Sequence, residues 1–194
     1  MPKSSIERST PEAAKASSDF RMALAAQAFI DEGARRVAVL DVDFHHGNGT
    51  QAIFYERGDV LVANIHGDPM EAFPHFLGGA EETGSGAGEG ATLNLPLPRG
   101  SDHAAFDAAL VRACEAVDAF GAEALVVSLG VDTFKGDPIS FFTLEIGDFP
   151  KIGARIAAPG LPTVFAMEGG YAVAEIGVNA VGVLQGFEAA SATG

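Results

Sequence analysis

At 194 residues, 47% of them hydrophobic, the chain is long enough for one domain with a substantial core and too short for two comfortable ones. A formal net charge of −14 excludes a broad nucleic-acid-binding face, which needs clustered Lys and Arg, and favours cationic partners. A single cysteine, Cys114, excludes an internal disulfide and fits a reducing cytoplasm, and the lack of any apolar run near the roughly 18 residues of a membrane span argues against insertion or export.

Residues 1–18 are rich in Ser, Pro, Ala and charge without periodicity and read as a loose arm, so the domain is expected over 19–194. A helix is predicted at 19–33, then strand "RRVAVLDV", a short helix around "GTQAIFYE" and strand "VLVANIH". A long loop spans 67–90. Strand "ATLNLPL" follows, then a helix at 102–120 with Phe106, Leu110, Cys114 and Val117 on one face, and strand "ALVVSLG". A second loop carries "VDTFKGDPIS". A helix near 145–158, strand "LPTVFAM", the turn "EGGY" and a final helix bearing Ile176, Val183 and Phe187 complete the chain. This alternation, with strands that read as continuous apolar runs, predicts an α/β fold: an open parallel sheet with helices on both faces.

Open parallel sheets bind ligands at the carboxyl ends of their strands. "DVDFHH", "NIHGDP", "LGVDTFKGDP" and "MEGGY" fall at those ends of the first, second, fourth and fifth strands. Any one of them also suits a cap, a turn or a structural histidine. Their convergence on one edge points to a site. The strand period of two places Asp41, Asp43 and His45 on one side and Val42, Phe44 and His46 on the other. Two carboxylates buried together repel unless a cation lies between them, and a His with two carboxylates is a three-ligand set that leaves an open position, the form of a catalytic zinc site. The next buried acid at a strand end, Asp132, is the natural partner.

In order, "DVDFHHGNGTQ", "IHGDP", "FPHFLG", "GAGEG", "NLPLP", "SLGVDTFKGDPIS" and "EGGY" resemble the zinc-dependent histone deacetylase superfamily, with acetylpolyamine amidohydrolases and class II-like deacetylases as the nearest pattern. The resemblance spans roughly Phe29 to Phe187. It implies an arginase/deacetylase-like fold, truncated at its N-terminus, with zinc held by Asp43, His45 and Asp132. It implies that Tyr171 hydrogen-bonds the scissile carbonyl, and that backbone carbonyls of Asp41, Asp43 and His45, with Asn64 and Ile65 completing the set, border a monovalent cation, K+. It also implies a substrate tunnel with Phe73 as a wall and Gly130 and Ile139 near floor and rim. The family's sheet order is taken to run from the first strand to the fifth, fourth, second and third. The first strand would then be an exposed edge, covered by the helix at 19–33 or by a second copy of the chain as a homodimer.

The implied reaction is zinc-dependent removal of acetyl groups from acetylpolyamines or acetyl-lysine, with no role for nucleic acid or membrane. The family's tandem-histidine general base has no counterpart, because the five histidines are His45, His46, His66, His75 and His103 and "STPEAAKASSDFRMALAAQ" stands where the pair is expected. His46 points away from the cluster. Two expectations therefore stand: a zinc amidohydrolase of impaired activity, or an inactive metal-binding fragment. An arginase-like binuclear manganese site is disfavoured, since Gly47 stands where it would need a further aspartate.

Overall fold

The computed structural model describes residues 11–192. Its elements are α1 (Pro11–Asp31), β1 (Val37–Asp41), α2 (Asn48–Phe54), β2 (Val60–Gly67), β3 (Thr92–Leu97), α3 (His103–Phe120), β4 (Ala124–Leu129), α4 (Phe149–Ile156), β5 (Thr163–Met167) and α5 (Ile176–Ser191). The predicted elements are thus all present. Helix α1 starts earlier than expected, so part of the segment read as a loose arm is helical; residues 1–10 of that arm lie outside the described residues.

All five strands are parallel, in the order β3-β2-β1-β4-β5. This corrects the expected order. β1 is central, hydrogen-bonded to β2 on one side and β4 on the other, and the edges are β3 and β5. No cover for β1 is needed, and the reason given for a homodimer falls away.

Side-chain parity along the strands explains the layers. Val37 and Val39 of β1, Val60 and Val62 of β2 and Ala124 and Val126 of β4 face Met22, Ala23 and Ala26 of α1 and Phe54 of α2. The intervening residues Ala38, Leu40, Leu61, Ala63, Leu125 and Val127 face Phe106, Leu110, Cys114 and Val117 of α3, together with Phe149, Ile152 and Ile156 of α4. Strands buried on both faces must be apolar at every position, which is why alternation is missing from their sequences. Each such Val, Leu or Phe contributes roughly 1.5–3 kcal/mol by leaving water. Helix α3 is bounded by its sequence: the Asp102 carboxylate accepts the Ala105 N–H at 3.1 Å, and Gly121 ends the helix in the left-handed region at φ 71°. Burial raises the Cys114 thiol to about 11, so it is an inert core residue. Among the described residues no helix is long and apolar enough to cross a membrane.

Candidate metal centre

β1 stops at Asp41, and residues 43–45 form a bend, so the period-two reading of "DVDFHH" is not carried by strand geometry. The aspartates themselves make the bend. Asp41 Oδ1 accepts the Asp43 N–H at 3.0 Å, and Asp43 Oδ1 accepts the His45 N–H at 2.7 Å, each carboxylate holding the amide two residues on. The two-sided partition does not hold: Phe44 joins the core on the α3 face, whereas His46 turns to the α2 face beside Gln51 and His66, and Asp41 lies toward Asn64 and not with the cluster. Phe44 is buried, its ring edge-on to Phe141 at 4.7 Å and to Phe142 at 5.0 Å. His46 is buried too, its Nε2 2.9 Å from Gln51 Oε1 and its ring against His66.

Asp132, with no exposed surface, enters from the end of β4. Its Oδ1 accepts the Phe44 N–H at 2.9 Å, and its Oδ2 lies 2.9 Å from His45 Nδ1. The same Nδ1 is 3.2 Å from Asp43 Oδ1. From the loop after β5, the Gly169 N–H donates to Asp43 Oδ2 at 2.7 Å. Asp43, His45 and Asp132 therefore present one ligand atom each within 4.8 Å of one another. The backbone is pressed against them: a Cβ on Gly169 would lie 2.3 Å from Asp43 Oδ2 and 2.5 Å from Asp132 Oδ2, and one on Gly130 2.3 Å from Asp43 Oδ2. Only glycine fits either position.

The electrostatics of the cluster favour positive charge between its carboxylates. Burial, with the adjacent Asp43 charge, raises Asp132 to about 7. Burial alone would lower His45, but hydrogen bonds to Asp132 and Asp43 outweigh it and raise the imidazole to about 9. Burial likewise opposes ionisation of Asp43, whose carboxyl is nevertheless held below its ordinary range by His45 and the Gly169 amide. His45 Nδ1 thus lies against both carboxylates, where positive charge, from the imidazolium or from a metal ion, offsets their repulsion.

The other residues singled out in the sequence are distributed around this cluster. Tyr171 follows the two glycines after β5, with its ring 6.5 Å from that of His45, edge-on, and its side chain half exposed. Gly130 abuts Asp43, while Phe73 and Ile139 stand half exposed on two different loops. Asn64 and Ile65 are buried on β2, and Asn64 is in register with Asp41. A Cβ on Gly47 would meet Asp41 Oδ2 at 2.4 Å and Asn64 Oδ1 at 3.1 Å, so these two oxygens converge on one point.

Two features escaped the sequence. Asp137 is buried and accepts three backbone amides, those of Ile139, Tyr171 and Ala172. Its one signal was position, in a Gly-Asp-Pro turn. Behind His46, Gln51 and Asn94 form a buried polar network with Asn64 and Glu82. His46, Gln51 and Glu82 line an open cavity of about 580 Å³ beside α2, which none of the three candidate ligands borders. Polar residues on strands that read as apolar were the signal there.

Comparisons with known proteins agree with this geometry. The histone deacetylase domain matches residues 21–187. An acetylpolyamine amidohydrolase of Mycoplana ramosa is 60% identical over 164 residues, covering 84% of this chain and 48% of that protein. Acetylpolyamine amidohydrolase 1 of Pseudomonas aeruginosa is 60% identical over 169 residues, 87% of this chain and 49% of its own length. Among solved structures, an acetylpolyamine aminohydrolase from Burkholderia pseudomallei superposes with a TM-score of 0.84 at 44% identity, over 87% of this chain and 49% of that one. A histone deacetylase homologue complexed with SAHA gives 0.75 at 32%, over 82% and 44%. The chain spans about half the length of the curated relatives it matches. The sheet, the three-residue cluster and these matches together show that the chain belongs to the histone deacetylase family.

Proposed function

We propose that the chain carries the metal-binding and carbonyl-activating part of a zinc-dependent amidohydrolase that removes acetyl groups from acetylated amines. The observation that carries this reading is the convergence of Asp43, His45 and Asp132 within 4.8 Å, with the Tyr171 ring alongside. The donor set fits zinc: one imidazole, two carboxylates, no thiolate and an open position. Zinc bound there would polarise the amide carbonyl and activate water. Tyr171 has the protonation state its role needs, since burial and the charges of Asp43 and Asp132 raise its phenol above the ordinary value and keep it a donor. Phe73, Gly130 and Ile139 are assigned to the acyl tunnel on the family pattern. Asp41, Asp43, His45, Asn64 and Ile65 are assigned to a monovalent cation, K+. That assignment is supported by Asn64 Oδ1, which is buried without a hydrogen-bond partner and converges with Asp41 Oδ2.

Metal binding must displace the His45 and Asp132 protons, so affinity for zinc should rise with pH across the interval from about 7 to about 9. The metal-free chain should do the reverse. His45 is raised in the folded state, so its contribution to stability is complete below the unfolded value of 6.5 and is lost as pH rises through about 9. Thermal unfolding with and without zinc tests both signs. A zinc-induced gain in Tm that is constant over this interval would contradict them.

Acetylpolyamines are favoured as substrates by the 60% identical relatives and by the acidic loop 67–90, which has no Lys or Arg. The rim is weaker than its composition suggests: Glu71 pairs with Arg99 at 2.7 Å, and Glu82 is engaged by Gln51 and the Gly78 and Gly79 amides. Asp68 accepts the Met70 N–H and Glu89 the Thr83 hydroxyl, each through one oxygen, so these two and Glu81 still offer oxygens to a cation. A hydroxamate with a cationic tail should bind the zinc-loaded chain more tightly than its neutral analogue at low salt, with the gap closing as salt screens the rim. Equal affinities at low salt would remove the case for polyamines.

A second reading is a metal-binding module without turnover. It is favoured by the histidines: His46 is turned into the protein and bonded to Gln51, and the others apart from His45 belong to β2, the 67–90 loop and the start of α3.

A further inference from the structure

We infer that Asp137 is a positioning residue that sets Tyr171 against the metal-binding cluster, acting through the backbone. The inference rests on the amidohydrolase reading and adds a part to it. Tyr171 follows Gly169 and Gly170, and Gly170 has a positive φ of 156°, so the segment leading to it has little conformational preference of its own. Its side chain is half exposed. Asp137 supplies the missing constraint from the other loop. Its Oδ2 accepts the N–H groups of Tyr171 at 2.7 Å and Ala172 at 3.1 Å, while its Oδ1 accepts the Ile139 N–H at 3.1 Å. The residue is 6% exposed, so these amides are what replaces the hydration of its carboxylate.

The loop on which Asp137 stands is itself anchored at the cluster. Asp132, five residues earlier, holds the Phe44 amide and lies beside His45, and the Val131 N–H donates to Gly169 O at 2.8 Å. Asp43 grips the same post-β5 loop at Gly169. The loop bearing Tyr171 is therefore held at two points, Gly169 by a candidate metal ligand and Tyr171–Ala172 by Asp137. Losing the second leaves the metal cluster intact and frees the phenol.

The test compares Asp137→Asn and Asp137→Ala in the zinc-loaded chain. Asparagine is isosteric but turns an NH2 group toward donors. Amide hydrogen exchange at Tyr171 and Ala172 should accelerate at least about tenfold, the scale of a hydrogen bond to a charged acceptor. Exchange in β1 and β4 and zinc stoichiometry should stay as in the parent. Binding of a zinc-directed hydroxamate should weaken on Asp137→Asn where Tyr171 is present and not further on a Tyr171→Phe background. Unchanged exchange at Tyr171 and Ala172, faster exchange throughout the sheet, or equal losses of affinity on both backgrounds would each overturn the inference. Failure of the parent chain to bind zinc would instead sink the amidohydrolase reading, with exchange at the two amides still judging Asp137.

Discussion

Asp132→Ala is expected to abolish tight zinc binding while leaving the chain folded. The carboxylate is one of three candidate ligands, and its loss leaves two, too few to hold a catalytic zinc. The effect should exceed the roughly 10–100-fold that follows from removing a residue that merely orients a ligand. His45→Ala should do the same. The fold should survive because burial and the Asp43 charge oppose ionisation of Asp132, pushing it up to about 7, so an apolar residue there relieves a repulsion that offsets part of the lost contact to His45. The cost is two contacts, the Phe44 N–H to Asp132 Oδ1 and His45 Nδ1 to Asp132 Oδ2, and Asp132→Asn retains an oxygen for the first while removing the charge. Metal analysis of the three variants beside their thermal unfolding separates the effects. One zinc per chain in both Asp132→Ala and His45→Ala would show that the site lies elsewhere.

The sequence was legible where a property is local. Apolar runs marked all five strands, the spacing of Phe106, Leu110, Cys114 and Val117 marked the buried face of α3, and polar residues at strand ends marked the cluster. The strand order was not legible, because pairing partners are chosen by crossover connections and long-range packing, and a run such as "VAVLD" reads alike at any interior position of the sheet. The bend at residues 43–45 was missed for a related reason. Strand period wrongly grouped Phe44 with His46 and Asp41 with Asp43 and His45, because the convergence of Asp43 and His45 comes from aspartates bonding amides two residues on, a competition with strand geometry that composition does not rank. Asp137 was invisible because two of its partners are backbone amides 34 and 35 residues away, and a backbone donor carries no side-chain signature.

These 194 residues by themselves are expected to hydrolyse acetylpolyamines or acetyl-lysine amides very weakly, for want of a group to move the proton of water. General acid–base assistance typically contributes about 100 to 10,000-fold, and neither histidine of the His45–His46 pair is placed to give it. His45 belongs to the metal cluster, and His46 is buried with its Nε2 on Gln51, on the side facing a different cavity. What remains is carbonyl polarisation by the bound metal and donation from Tyr171, so the residual rate should fall further on Tyr171→Phe, by about 100 to 1,000-fold if the phenol acts as an oxyanion donor. Added imidazole separates a missing base from a defective site. If the base alone is wanting, imidazole in solution should raise the rate of the zinc-loaded chain in proportion to its neutral form, and should do little for Tyr171→Phe, whose deficit lies at the carbonyl. A chain that turns over rapidly without imidazole holds another base. A chain that stays inert with it, while binding zinc fully, favours the metal-binding module.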